Sequence, residues 1–192
     1  EELKGHSLGN LMLAALTSIT GDFAHAITEM SRVLNIRGKV LPAANQIVTL
    51  HALFEDQTTV AGESKIPKYG KKIEKVFITP TDVKPLPETI NVIRQADVIV
   101  IGPGSLYTSI LPNLLVQDIQ QAIRESNAKK VYICNLMTQA GETGNYSAYD
   151  HVNALIEHVG ENFLDAVLIS KEEIPENVQY MYKQEQASPV KI

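Results

Sequence analysis

A glycine-rich turn follows a continuous apolar run in the middle of the chain, and its residue types suit the binding of an anion. The run is Val98 to Ile101, and the turn reads Gly-Pro-Gly-Ser at 102–105. Glycine lets the backbone turn sharply, and Ser105 can cap the helix that the following residues predict. Unpaired backbone N–H groups at the start of a helix form a seat for a phosphate. The alternative is a tight strand-to-helix turn that binds no ligand.

A second polar segment, residues 135–143, follows the next apolar run. It contains Asn135, Thr138, Gln139, Glu142 and Thr143. Most of these side chains are neutral donors and acceptors, which suit the hydroxyls and amides of a sugar or ribose and lack the charge expected of a metal site. The alternative is an ordinary polar loop, because such residues are common in loops.

The elements that must position these segments alternate between strand and helix. Strands are predicted at about 97–101, 130–134 and 165–170, with helices between them and a break at Pro112. This order predicts a parallel sheet with right-handed crossovers. The uninterrupted apolar run at 98–101 predicts a strand buried on both faces. Since ligands bind outside the carboxyl ends of such strands, the two polar segments and Ser170 are expected at one edge.

The first third of the chain predicts two helices and an antiparallel region. Apolar spacing indicates helices over about 8–19 and 23–34, and Ser7 is the expected N-cap of the first. A strand at 47–54 pairs back with 58–61 as a hairpin, and another strand covers 73–78. The lysines near residues 65–72 predict a solvated surface, with a phosphate-facing patch as the alternative. The last residues, 189–192, resemble the opening of a strand.

No catalytic or metal-binding constellation emerges from the sequence. The sequence contains five histidines, and no pair of them has the i, i+4 spacing of a zinc-binding helix. His6 can contact a phosphate or act as an acid or base; the alternative is a bond to its own backbone. Tyr107 can stack on a base, with a packed core tyrosine as the alternative. Cys134, the only cysteine, is expected to be an inert buried hydrophobe.

Composition narrows the class of protein. The 192 residues correspond to one domain, and 44% hydrophobic with 20% charged residues is typical of a globular chain. A net charge of −5 argues against a broad nucleic-acid surface. No apolar run is long enough to predict a membrane span. A single cysteine favours a reducing cytoplasm.

Three motifs closely resemble the bacterial gluconeogenesis factor (YvcK) family, which shares a superfamily with 2-phospho-L-lactate transferase (CofD). They are Gly-His-Ser-Leu-Gly-Asn at 5–10, the stretch from Ile101 to Leu115, and Cys-Asn-Leu-Met-Thr-Gln-Ala-Gly-Glu-Thr at 134–143. The resemblance implies an α/β fold, a three-layer Rossmann-like sandwich with a mainly parallel sheet and a β-hairpin insertion. It also implies a cytoplasmic, homodimeric regulator that binds a nucleotide sugar such as UDP-N-acetylglucosamine, for growth on gluconeogenic carbon sources and for cell shape.

The ligand-binding residues that the motifs and the resemblance predict come from all three segments. They are Gly5, His6, Ser7, Gly9, Asn10, Gly102, Pro103, Gly104, Ser105, Tyr107, Asn135, Met137, Thr138 and Gln139. No catalytic residue, metal ligand or required cofactor is predicted.

The chain also departs from the family pattern. It does not begin with the family's strand, glycine-rich nucleotide turn and acidic segment, and it lacks the basic C-terminal stretch. We therefore expect residues 1–192 to form one α/β nucleotide-binding-like domain from the middle of a longer protein. The transferase branch usually has a Gly-Pro-Ser-Asn-like turn, so Gly-Pro-Gly-Ser at 102–105 favours the regulatory branch.

Three functional hypotheses remain open from the sequence. The first is a regulatory nucleotide-sugar-binding protein without turnover. The second is a magnesium-dependent transferase of a phospho-lactyl-type group, with its metal ligands in the acidic segment. The third is an NAD-binding protein, which ranks last because no glycine fingerprint with an acidic ribose ligand is visible.

Overall fold

The structure is a computed structural model that describes residues 7–192, and it begins with two helices. α1 spans Leu8–Thr20 and α2 spans Phe23–Val33. Ser7 caps α1, as predicted, because its hydroxyl accepts a hydrogen bond from the N–H of Asn10 at 3.2 Å. Gly21 ends α1 in the left-handed conformation with a φ of 72°. The two predicted helices are confirmed, although no side chain of α1 is buried.

An antiparallel sheet follows the helices. Its order is β2-β1-β3, and its strands are β1 at Thr49–Phe54, β2 at Thr59–Ala61 and β3 at Ile73–Thr79. Side chains alternate along β1, so that Leu50 and Phe54 are buried. A short 3₁₀ helix, Ile66–Lys68, lies between β2 and β3. The predicted hairpin is confirmed, and β3 pairs with β1 to complete the sheet.

A parallel sheet occupies the second half of the chain. Its order is β4-β5-β6, and its strands are β4 at Val98–Ile101, β5 at Lys129–Ile133 and β6 at Ala166–Leu168. Parallel pairing with helical connections confirms the predicted α/β class and its Rossmann-like character.

Five helices accompany the parallel sheet. α3 precedes β4, α4 and α5 connect β4 to β5, α6 connects β5 to β6, and α7 follows β6; they span Pro87–Gln95, Leu111–Leu114, Gln117–Glu125, Ala148–Val159 and Glu176–Gln184. A π-helical turn, Leu106–Ile110, runs directly into α4. Pro112 lies in the first turn of α4, so the predicted break coincides with the change from the π-helical turn to α4. A further interruption, at residues 115–116, separates α4 from α5. The sequence did not predict α7.

The parallel sheet differs from the prediction in how its faces are covered. Val98 and Val100 are 53% and 54% exposed, whereas Ile101 is 5% exposed. Side chains alternate along a strand, and residues 7–192 cover only the face that carries Ile99 and Ile101. The prediction that this strand is buried on both faces is therefore wrong for the residues described.

The two sheets share one continuous hydrophobic cluster. Phe54 of β1, Tyr132 of β5 and Leu155 of α6 all belong to it and are fully buried. The layers are also tied by a polar contact, because His158 Nε2 on α6 accepts a hydrogen bond from the N–H of Val76 in β3 at 2.9 Å. This packing places the antiparallel region beside the loops of the parallel sheet.

The end of the chain crosses the loop that follows β5. Two isolated bridges, Met137 to Pro189 and Ser147 to Lys191, replace the strand expected at 189–192. The N–H of Thr138 donates to the Ser188 carbonyl at 2.7 Å, and the Thr138 hydroxyl accepts from the Ser188 N–H at 3.0 Å. The C-terminal segment thereby holds the polar segment after β5 in place.

Candidate functional site

Residues from all three sequence motifs line one polar cavity of about 540 Å³, which we call the polar cavity. Asn10 comes from the first turn of α1, Ser105 from the turn after β4, and Gln139 from the loop after β5. The other lining residues come from neighbouring turns: Glu63, Ser64, Pro67, Thr108, Ser109 and Glu142. The tertiary structure therefore joins motifs that are far apart in the sequence.

The carboxylate of Glu142 binds two of these segments to each other. Glu142 is 4% exposed. Its Oε2 accepts hydrogen bonds from the backbone N–H groups of Tyr107 at 3.1 Å and Thr108 at 3.2 Å. Its Oε1 accepts from the Thr108 hydroxyl at 2.6 Å and from Gln139 Nε2 at 3.1 Å. Burial raises the pKa of Glu142 above its ordinary value, and the hydrogen bonds from Thr108 and Tyr107 oppose that rise.

These hydrogen bonds change the predicted phosphate seat. The N–H groups of Tyr107 and Thr108 belong to the first turn after Gly-Pro-Gly-Ser, and Glu142 already satisfies them. The expected Ser105 side-chain cap does not form, and the Glu142 carboxylate, 37 positions later, accepts the hydrogen bonds at that end of the helical segment. No described residue accepts a hydrogen bond from the N–H of Ser105 or Leu106. Those two groups are the donors that this turn leaves for a ligand.

The loop that carries Gln139 and Glu142 is tightly folded. The N–H of Gln139 donates to the Thr143 hydroxyl at 3.0 Å, and the N–H of Thr143 donates to the Gln139 carbonyl at 2.9 Å. Gly141 has a φ of +77°, and a Cβ there would lie 1.9 Å from the Pro67 carbonyl oxygen. Only glycine fits this approach to the antiparallel region. The loop is thus packed between the 3₁₀ helix and the turn after β4.

A larger cavity of about 880 Å³ lies at the carboxyl ends of β5 and β6, and we call it the strand-end cavity. Five of the predicted residues line it: Pro103, Asn135, Met137, Thr138 and Gln139. Gln139 therefore borders both cavities. Another wall comes from α7 and the residues after it, including Tyr182 and Glu185. The position matches the rule that ligands bind outside the carboxyl ends of parallel strands.

The Gly-Pro-Gly-Ser turn is fastened to the loop after β5 by one side chain. Asn135 Nδ2 donates to the Gly104 carbonyl at 2.8 Å, and Asn135 Oδ1 accepts from the Gly104 N–H at 3.4 Å. Gly102 has a φ of +85°, and a Cβ there would lie 3.0 Å from the Ile133 carbonyl oxygen. A Cβ at Gly104 would make ordinary contacts at 3.6 Å. Of these two glycines, the conformation requires only Gly102.

The remaining predicted residues lie elsewhere. Tyr107 is 2% exposed and its hydroxyl is 2.9 Å from that of Tyr146; burial raises the pKa of Tyr107. The prediction that Tyr107 stacks on a base is therefore wrong, and the alternative, a tyrosine packed in the core, describes the structure. Ser7 and Gly9 line neither of the two cavities, and Gly5 and His6 lie outside the described residues.

Several cavity residues were missed by sequence reasoning. Glu142 and Thr108 are absent from the predicted site residues, as are the residues of α7. A usable signal for Glu142 was present, because it is the only charged residue in the otherwise neutral segment 135–143. Nothing comparable marks Thr108 or α7. Cys134 is 4% exposed, and burial raises the pKa of its thiol, as expected of an inert cysteine.

Within residues 7–192, no group of three or more His, Cys, Asp or Glu side chains is arranged to hold a metal ion. No helix in the same range combines the length and the apolar character needed to cross a membrane.

Comparison with known proteins extends these findings. The chain is 62% identical over 189 residues to a gluconeogenesis factor of Bacillus subtilis, covering 98% of this chain and 60% of that protein. It is 61% identical over 188 residues to a gluconeogenesis factor of Halalkalibacterium halodurans, covering 98% of this chain and 58% of the relative. The chain thus spans about three fifths of the length of these curated relatives.

A solved structure agrees with the fold. A crystal structure of a UPF0052 family member from Bacillus halodurans is 59% identical, has a TM-score of 0.93, and is matched over 100% of this chain and 62% of that chain. The resemblance inferred from the three motifs is confirmed by these relatives. The model of the family described as 2-phospho-L-lactate transferase CofD matches residues 1–192, and the chain therefore belongs to the CofD family.

Proposed function

We propose that this chain is the ligand-binding part of a regulatory protein that binds a nucleotide sugar resembling UDP-N-acetylglucosamine. The observation that carries the proposal is the position of Gln139 between the polar cavity and the strand-end cavity. A ligand with two chemically different parts can occupy both cavities while one amide contacts it in the middle. The proposed role is the one that the relatives' name, gluconeogenesis factor, gives them.

The chemistry of the two cavities supports a nucleotide sugar. The polar cavity presents hydroxyls and amides, including Asn10, Ser105 and Ser109, which suit sugar hydroxyls. The strand-end cavity adds apolar side chains, among them Leu136 and Met137, to polar groups such as Asn135. For the diphosphate, the N–H groups of Ser105 and Leu106 are the available backbone donors.

The absence of turnover is the second part of the proposal. The carboxylate of Glu142, which is the most deeply buried acid of the polar cavity, accepts four hydrogen bonds. A carboxylate held in this way is occupied in supporting the loops. We therefore propose that ligand occupancy, rather than a reaction, is what a partner detects.

The alternative is a transferase of a phospho-lactyl-type group, and the family description supports it. This reading needs a divalent ion such as Mg²⁺. The residues in the range 7–192 do not fit such an ion, since no suitable acidic group is found there. Its ligands would have to lie outside that range. An NAD-binding protein remains the third candidate.

Thermal unfolding of the full-length gene product tests the proposal. UDP-N-acetylglucosamine, NAD and no ligand are compared, each with and without Mg²⁺. A ligand at 100 times its dissociation constant stabilises the native state by about 2.7 kcal/mol. A metal-independent shift with the nucleotide sugar alone is the expected result. A shift that requires Mg²⁺, steady product formation, or a response to NAD only would replace the proposal with one of its alternatives.

The cellular role is tested separately. We propose a cytoplasmic homodimer whose loss impairs growth on gluconeogenic carbon sources and alters cell shape. A deletion strain should show both defects, and complementation by a Gln139→Leu variant should be poor. Sedimentation of the purified gene product gives the oligomeric state.

A further inference from the structure

The side-chain amide of Gln139 has only one orientation that satisfies its buried neighbour. An ionised carboxylate accepts hydrogen bonds and cannot donate them. Glu142 Oε1 lies 3.1 Å from the end of the Gln139 side chain, so the NH₂ group must face it. The Thr108 hydroxyl and the N–H groups of Tyr107 and Thr108 take the other positions around this carboxylate.

The backbone of Gln139 is also fully used. Its N–H donates to the Thr143 hydroxyl, and its carbonyl accepts from the Thr143 N–H. The side-chain carbonyl oxygen, Oε1, is therefore the strong acceptor that Gln139 has left to offer. Because Gln139 borders both cavities, this acceptor stands where a bound ligand would pass.

We infer that Glu142 is a positioning residue that fixes the Gln139 amide with its carbonyl oxygen toward the ligand, so that the site selects a ligand carrying a hydroxyl or N–H donor at that point. The inference rests on the proposed function for the ligand and on the hydrogen bonds of Glu142 for the orientation. It deepens the proposed function by making Gln139 the residue that determines specificity, and Glu142 the residue that sets its direction.

The orientation is tested first, without ligand, by NMR of the side-chain amide groups in the full-length gene product. The Gln139 signal is assigned by its loss in Gln139→Leu. Its two N–H resonances, which any primary amide shows, should shift as Glu142 titrates, and this shift should vanish in Glu142→Gln. Glu63, a cavity carboxylate that acts electrostatically on Glu142, is replaced by glutamine in a parallel sample, so that its charge effect on Glu142 is separated from the Gln139 contact. Gln139 N–H resonances that do not change as the pH is varied would overturn the inference.

Selection of the ligand is tested by calorimetry with UDP-N-acetylglucosamine and analogues that each lack one hydroxyl or N–H donor. Gln139→Leu should weaken binding of the parent ligand about tenfold. For one analogue the same substitution should have no further effect, because the partner of Oε1 is already missing. Glu142→Gln should also reduce, at least in part, the difference in affinity between the parent ligand and that analogue. If Gln139→Leu weakened the binding of every analogue equally, Gln139 would not accept a hydrogen bond from any particular donor of the ligand.

A matched control uses a second Gln–Glu pair on the surface. Gln121 Nε2 donates to Glu125 Oε1 at 2.7 Å on α5, away from both cavities. Glu125→Gln should leave both the Gln139 resonances and the affinity unchanged. If the wild-type protein binds none of the nucleotides, both the proposed function and the inference about Gln139 are refuted. If it binds them without coupling to Gln139, only the inference falls.

Discussion

The hydroxyl of Thr108 donates a 2.6 Å hydrogen bond to the Glu142 carboxylate across 34 positions of sequence. Both residues are buried. The contact joins the helical segment after β4 to the loop after β5. The two loops at the centre of the candidate site therefore form one unit rather than two independent binding segments.

This unit predicts that Glu142 contributes to stability. Glu142→Gln should lower the free energy of unfolding by about 1 to 3 kcal/mol, because an amide group then faces buried donors that need an acceptor. Thr108→Val should cost about 1 kcal/mol or more through loss of one donor. Urea unfolding measures both changes. Glu125→Gln on the surface of α5 is the control, expected within about 0.5 kcal/mol, and an equal loss there would contradict the prediction.

The approach of Gly141 to Pro67 predicts a severe effect of one added methyl group. Gly141→Ala places a Cβ at a φ of +77° and 1.9 Å from the Pro67 carbonyl oxygen. The loop must move, and we expect a loss of at least about 2 kcal/mol in unfolding free energy. Gly144→Ala is the matched control, since a Cβ there meets nothing within 4 Å. Equal stabilities of the two variants would show that the loop does not pack in this way.

The two glycines of the turn after β4 should respond differently. Gly102→Ala meets the Ile133 carbonyl oxygen at 3.0 Å in a left-handed conformation, so it should destabilise by about 1 to 2 kcal/mol. Gly104→Ala meets only ordinary contacts at 3.6 Å and should change stability by less than about 0.5 kcal/mol. Thermal unfolding of the pair gives the comparison. A reversed order would place the strained position at Gly104.

Two histidines of α6, the buried His151 and the partly buried His158, predict a loss of stability in mild acid. Burial lowers the pKa of both His151 and His158. His158 Nε2 accepts a hydrogen bond from the Val76 N–H. A protonated Nε2 would carry its own N–H, which would face the Val76 N–H and could no longer accept from it. The unfolded chain takes up protons as the pH falls below about 6.5, whereas the folded chain does so only at lower pH. The stabilisation is therefore complete above about pH 6.5 and decreases as the pH falls through the lowered pKa values.

The histidine effect can be measured as a slope. Two such groups give at most about 2.7 kcal/mol per pH unit between the unfolded and folded pKa values. Urea unfolding at several pH values between 5 and 8 should show this dependence, reduced in His151→Gln and in His158→Gln. Identical slopes in wild type and both variants would assign the acid sensitivity to other groups.

Local signals in the sequence determined most of the elements. The Ser7 cap, the stop at Gly21, the hairpin and the alternation of strands and helices all depend on neighbouring residues, and each is present in the structure. The three motifs also identified the family. Such features can be predicted because their hydrogen bonds and hydrophobic periods lie within a few residues of one another.

Only the tertiary structure decided how the candidate site is assembled. Glu142 caps the segment at Tyr107 in place of Ser105, Tyr107 turns into the core, and Val98 and Val100 remain exposed on one face. Gln139 reaches two cavities, one of them bordered by the unpredicted α7. These outcomes depend on which distant segments meet. A buried carboxylate takes whatever donors the packing brings to it, and no local pattern contains that information.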